Sequence, residues 1–191
     1  MLSQNSFQNQ QFIFLLAQNM NEFRVNILAS SGETAQGKQE MWELMDERWD
    51  YDNGYSTMPK NDPDYSVWLQ FELSKEVIVK QVLIFNVNSN NVLQAENTRN
   101  LLLRVGNIKV DINKTYTEQN KQIEENAQCS TWPKEGAIGE RIDMRCHENQ
   151  QGKFVSIQVM DKRIQMFGLT EVQIFGEGEK FDIHVWKFKE L

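Results

Sequence analysis

The residues best equipped for chemistry are two cysteines, Cys129 and Cys146, two histidines, His147 and His184, and a scatter of aspartates. Structural zinc takes about four ligands from Cys, His or carboxylate. Cys129, Cys146, the adjacent His147 and the remote His184 do not supply such a set. A single disulfide or two buried thiols are the open alternatives. Cys146 and His147 do not make a nucleophile–base pair, because neighbours along a strand point to opposite faces and such a pair works through space. Asp46, Asp50, Asp52, Asp62 and Asp64 lie between residues 41 and 65, interrupted by Gly54, Pro59 and Pro63. Asp62 and Asp64 flank a proline, and a loop there offers no burial to separate their carboxyl pKa values for acid–base work. Residues 50–54 lack the spacing and closing Glu of an EF-hand. Asn113-Lys114-Thr115 is an N-glycosylation sequon, which matters only if the chain is secreted. No residue set points to catalysis, and the chain is expected not to be an enzyme.

The elements that position these residues follow from composition and period. The chain has 191 residues, 40% hydrophobic and 25% charged, which suits one domain with a buried core. Its formal net charge of -7 repels phosphate backbones and anionic lipid, so nucleic acid and bare membrane are poor partners. A cation or a basic protein surface suits it better. Near the N-terminus, Phe12, Leu15, Leu16, Met20 and Phe23 recur at the spacing of one helical face. The apolar run 12–17 has no Lys or Arg before it, unlike a secretory signal. The expected division is an N-terminal helix or extension over 1–22, a sandwich over 23–178 and a tail over 179–191.

Strand signals fill the middle. Val67, Leu69, Phe71 and Leu73 alternate with Trp68, Gln70 and Glu72, and Val155, Ile157 and Val159 alternate with Ser156 and Gln158. In both, the second set is expected outward. A first strand over 23–28 and others over 77–87, 101–105, 108–112 and 138–144, with Val172 and Ile174 on another, complete the pattern. Trp132 and Trp186 are exposed aromatics or packing residues at sheet edges. Short strands between polar turns, without interleaved helices, predict an all-β antiparallel sandwich or jelly roll.

The order of these segments resembles discoidin (coagulation factor 5/8 type C) domains, and most nearly F-type lectins of the galactose-binding-like group. Residues 26–31, Asn-Ile-Leu-Ala-Ser-Ser, are similar to the opening stretch of those domains. Residues 43–46 resemble the turn that ends in Asp-Gly, with Glu47 in place of the Gly. Trp68 to Leu73, Val79 to Asn86, Leu103 to Asn107, Gly152 to Gln158 and Leu169 to Gly176 resemble successive family strands. The resemblance implies an eight- or nine-stranded jelly-roll β-sandwich whose loops at one end bind fucose, galactose, phospholipid or protein, without catalysis. It also places Cys129 and Cys146 where F-type lectins carry paired cysteines.

The family holds a sugar with one His and two Arg, whose charge-assisted donors match hydroxyl pairs. Here Thr57 lies in the loop that should carry the His, Val87 takes the first Arg position and Asn97 the second, with Arg99 within a slipped alignment. The sugar site is therefore expected to be degenerate. Met58 and Val92-Leu93 are candidate apolar spikes of the kind phospholipid-binding members expose, or ordinary loop anchors. The resemblance further implies a structural calcium ion held by Asp46 and Glu171, with backbone carbonyls near Arg48 and Ser56 completing an oxygen shell. Glu171 facing solvent, or paired with Arg145, is the alternative. The expected function is a protein–protein module in a larger, intracellular assembly, ciliary or cytoskeletal, docking through Phe12, Leu15, Leu16, Trp186 and Phe188. The alternative is a secreted or cell-surface lectin.

Overall fold

A computed structural model describes residues 13–14, 26–30, 44–45, 55–57, 60, 62–88, 92–164 and 166–177. Phe12, Leu15, Leu16, Asp46, Arg48, Met58, Trp186 and Phe188 lie outside the described residues. Eight strands are present among those described: β1 (Ile13–Phe14), β2 (Asn26–Ala29), β3 (Tyr55–Ser56), β4 (Trp68–Asn86), β5 (Arg99–Gly106), β6 (Ala127–Glu135), β7 (Arg141–Val159) and β8 (Gly168–Glu177). Two helices join them, α1 (Val92–Glu96) and α2 (Tyr116–Glu125). All pairings are antiparallel, in the order β1-β8-β4-β7-β5-β6, with β2 added to β4 and β3 to β8.

The scaffold is a ribbon of two long strands. β4 and β7, 19 residues each, pair from Trp68↔Gln158 to Phe85↔Arg141. The register breaks between Glu72 and Val77, where Ser74, Lys75 and Glu76 are exposed. Polar residues there predict a turn between two strands, but the structure carries one strand through an irregularity. A break of this kind lets a ribbon bend. One half of the ribbon joins β2 and β5, and the other joins β8. The halves close over one core of Leu69, Phe71, Val82, Ile84, Leu103, Ile157 and Val172, each fully buried. Gly152 sits where β7 crosses β5 closely; a Cβ there would lie 2.4 Å from the Gly106 carbonyl oxygen.

The outward rows are not solvent-facing. Trp68, Gln70, Ser156 and Gln158 are all buried. The segment 107–125 covers Trp68 and Gln70, with Trp68, Val110 and Ile123 in a second small apolar cluster. Gln70 Nε2 donates to Ser156 Oγ (3.1 Å) and the Ile108 carbonyl (3.2 Å), and Gln70 Oε1 accepts from the Val110 N–H (2.9 Å). Asn126 satisfies both backbone groups of Ile108 at 2.9 Å. The expected strand over 108–112 is therefore a loop, because side chains take the backbone groups a ladder would use. α2 carries a capping box, Thr115 with Glu118. Residues 138–140 form a turn with Gly139 at φ 64°, so β7 starts at Arg141.

The N-terminal expectation is corrected at two positions. Ile13 and Phe14 are extended and pair with Gly176 and Phe175 of β8, which a helix through residues 12–16 does not allow. The edge of β8 presents a row of backbone donors and acceptors that an extended segment satisfies.

Candidate functional site

The loops at the open end of the sandwich are organised by Asn86, the last residue of β4. Its side chain is fully buried. Nδ2 donates to the carbonyls of Ala95 (3.0 Å) and Ala137 (2.9 Å). Oδ1 accepts from Thr98 Oγ1 (2.8 Å) and the Val87 N–H (2.9 Å). Its backbone oxygen accepts from Thr170 Oγ1 (2.9 Å), and its N–H donates to the Glu140 carbonyl (2.9 Å). One amide thus fixes the α1 loop, the 136–140 turn and the start of β8. Gly136 lies so close that a Cβ would come within 2.5 Å of Asn86 Nδ2. With every polar atom satisfied, the cluster is rigid rather than costly.

The four positions that the resemblance assigns to a sugar site are Thr57, Val87, Asn97 and Arg99. Thr57 is fully buried; its hydroxyl accepts from the Phe167 N–H (3.1 Å) and donates to the Phe167 carbonyl (3.4 Å). Val87 is buried. The Asn97 N–H donates to the Leu93 carbonyl, closing α1. Arg99 donates through Nε to the Glu96 carbonyl (2.6 Å) and through a terminal nitrogen to Glu135 (2.6 Å). A guanidinium held this way is occupied by its own protein.

Features that the strand pattern does not announce complete the rim. Arg163 forks onto Asp161 with bonds of 2.9 and 2.6 Å, and its backbone N–H adds a third at 3.1 Å. These bonds, with the positive charge of Arg99 nearby, hold the Asp161 carboxyl down at about 2. Leu93, Ile138 and Met160 expose 73, 38 and 50% of their surface, on α1, on the 136–140 turn and on the 160–164 segment. Leu93 belongs to the Val92-Leu93 pair read either as apolar spikes or as ordinary loop anchors. Ile138 sits in a turn rather than in the strand expected over 138–144, and nothing in the local period marks Met160 as exposed. The turn residues Asp161-Lys162-Arg163 after β7 are the available signal.

Of the residues named for calcium, Asp46 and Arg48 are outside the described set. Ser56 pairs with Gly168 on β8, three residues from Glu171. Glu171 is 1% exposed, which removes the solvent-facing alternative. Among the described residues, no group of three or more His, Cys, Asp or Glu gathers to hold a metal ion. Cys129 on β6 and Cys146 on β7 are joined in a disulfide, with Cα atoms 4.5 Å apart. His147 is exposed, and Trp132 packs against the core. No helix among the described residues is long and apolar enough to cross a membrane.

The described strands form an all-β antiparallel sandwich. No protein-family model and no curated protein matches the chain. Solved structures do. A fucolectin from striped bass (Morone saxatilis) serum aligns with a TM-score of 0.60 and 15% identity over 89% of this chain and 48% of its own. The present chain thus spans about half of that lectin's length. A Streptococcus pneumoniae fucose-binding module aligns at 0.57 and 13% identity, covering 88% of this chain and 99% of the module. A family 32 carbohydrate-binding module from Clostridium perfringens, solved with galactose, aligns at 0.51 and 11% identity over 81% and 93%. At these identities the likeness is one of fold.

Proposed function

We propose that this chain is a non-catalytic binding module that engages a protein partner through the rim of its sandwich, as a component of a larger assembly. One observation carries the reading. Leu93, Ile138 and Met160 stand exposed on three neighbouring loops, while the positions for sugar donors hold Thr57, Val87, Asn97 and an Arg99 already bound to Glu135. Apolar side chains on a polar, mixed-charge rim suit a protein surface. The flanking segments with Phe12, Leu15, Leu16, Trp186 and Phe188 are proposed as further docking elements. The net charge of -7 speaks against nucleic acid and membrane insertion.

A second reading, a secreted or cell-surface lectin for fucose or galactose, is favoured by the sugar-binding neighbours alone. A structural calcium ion on Asp46, Glu171 and the carbonyls near Arg48 and Ser56 belongs to either reading and is supported by the burial of Glu171. The Cys129–Cys146 bond supports an oxidising compartment, so we place the assembly outside the cell or at its surface rather than in the cytoplasm, cytoskeleton or ciliary interior.

Photocross-linkers at positions 93 and 160 test the main reading. The expected result is one discrete protein adduct from the source's own extract, lost in Leu93→Asp/Met160→Asp. Adducts equally abundant at position 112, which is also exposed but away from the rim, would overturn it.

A further inference from the structure

We propose that Asn113 is the acceptor of an N-linked glycan. Asn113-Lys114-Thr115 is the one place in the 191 residues where Asn is followed, two positions on, by Ser or Thr without an intervening Pro. Such triplets also arise by chance, and many are buried or locked in a ladder. Asn113 is neither. It is exposed, in a turn closed by the Lys114 N–H on the Asp111 carbonyl (3.1 Å), just ahead of α2.

The local chemistry tolerates the sugar. Asn113 Nδ2 donates to Asp111 Oδ1 (3.1 Å), as does the Asn113 backbone N–H (3.0 Å). In the transfer, Nδ2 attacks the anomeric carbon of a polyprenyl-diphosphate-linked oligosaccharide. The new C–N bond forms as the C–O bond to diphosphate breaks, diphosphate leaves with that electron pair, and one amide proton is lost to base. No oxidant is needed, and one amide hydrogen remains for Asp111. Thr115, which supplies the sequon hydroxyl, becomes the α2 cap: Oγ1 donates to Glu118 Oε2 (2.7 Å) and accepts from the Glu118 N–H (3.4 Å). In the folded chain that hydroxyl is committed to the cap, so transfer must precede closure of α2.

Two further observations converge. Ile112, beside Asn113, is 50% exposed, an apolar surface on which no described element packs. Ile112 and Lys114 line an open cleft of about 300 Å³ with Tyr116, giving the first sugar a wall to lie against. The Cys129–Cys146 bond independently marks passage through an oxidising compartment, where this transfer takes place. The inference rests on that compartment reading. The glycan would stand on the segment covering the outer face, not on the rim residues 92–98, 136–140 and 160–164.

The test is peptide mapping of the full chain from the cells that make it, with and without peptide-N-glycosidase, alongside a non-reducing map of Cys129 and Cys146. The expected result is a disulfide-linked peptide pair and enzyme-dependent conversion of Asn113 to Asp. In a secreting eukaryotic host, Asn113→Gln should lose the gel shift, and Thr115→Ser, which keeps hydroxyl and cap, should retain it. An intact disulfide with wholly unmodified Asn113 overturns the glycan while leaving the compartment standing. Free thiols with unmodified Asn113 overturn both.

Discussion

Replacing Asn86 by Ala removes four buried hydrogen bonds at once, to Ala95, Ala137, Thr98 and Val87. The loss is not uniform. The Ala95 and Ala137 carbonyls keep second partners in the N–H groups of Thr98 and Glu140, and the Thr98 hydroxyl keeps the Gly168 carbonyl. The Val87 N–H loses the partner it has here. Taking roughly 0.5–1.5 kcal/mol per bond, with the upper end for the stranded N–H, gives a cost of about 3–4 kcal/mol. For a domain of this size that is a fall in Tm of roughly 10 °C. Urea unfolding at constant m-value measures the first number and calorimetry the second. Hydrogen exchange should show lost protection at Thr98 and Gly136 before any change at Ile157. Asn86→Asp should cost at least as much at pH 7, because its carboxylate cannot donate and faces two carbonyl oxygens. An Asn86→Ala variant within about 1 kcal/mol of the parent would refute the claim that this amide builds the rim.

Reducing the Cys129–Cys146 bond, which spans 17 residues, should lower stability by about 3 kcal/mol, read as a shift in urea midpoint with and without reductant; coincident midpoints would contradict it. Lys109 and Lys153 hold the Glu72 carboxyl down at about 2, against its ordinary 4.5. Because the folded value is depressed, its stabilisation is complete above about pH 4.5 and is lost as pH falls towards 2. Glu72→Gln should cost about 1–2 kcal/mol at pH 7, allowing for screening of the half-exposed lysines, and flatten the acid limb of the stability curve. An unchanged limb would remove Glu72 from the account. Millimolar calcium should raise Tm in the parent and leave Glu171→Gln unchanged; equal shifts in both would dissociate Glu171 from the ion.

The inner rows of the sandwich are legible because a two-residue period with one apolar face has a single reading. Leu69, Phe71, Ile157 and Val172 point as their spacing demands. The outer face is not legible by the same rule. Trp68 and Gln70 look outward in the alternation, yet α2 and its preceding loop bury them, and nothing local in a strand announces a cover that arrives about 40 residues later. The Thr115/Glu118 capping box is a readable helix start that strand periodicity overshadows. Around residue 108 the apolar pattern suggests a strand, but Gln70 and Asn126 take its backbone groups. At the rim, the resemblance picks out Thr57, Val87, Asn97 and Arg99 as the positions of interest. It does not reveal that Arg99 is spent on Glu135, nor that Met160 and Arg163 share the surface.

If the rim built on Asn86 is a surface for protein and not for saccharide, free sugar should leave it undisturbed. Titrating the ¹⁵N-labelled chain with fucose and with galactose, calcium present, puts that to the proof. Amide resonances of residues 93–99, 136–140 and 160–164 should stay in place up to tens of millimolar sugar, on the order of the weakest specific affinities. Saturable shifts confined to those residues, abolished in Arg99→Ala, would show instead that the rim is a sugar site.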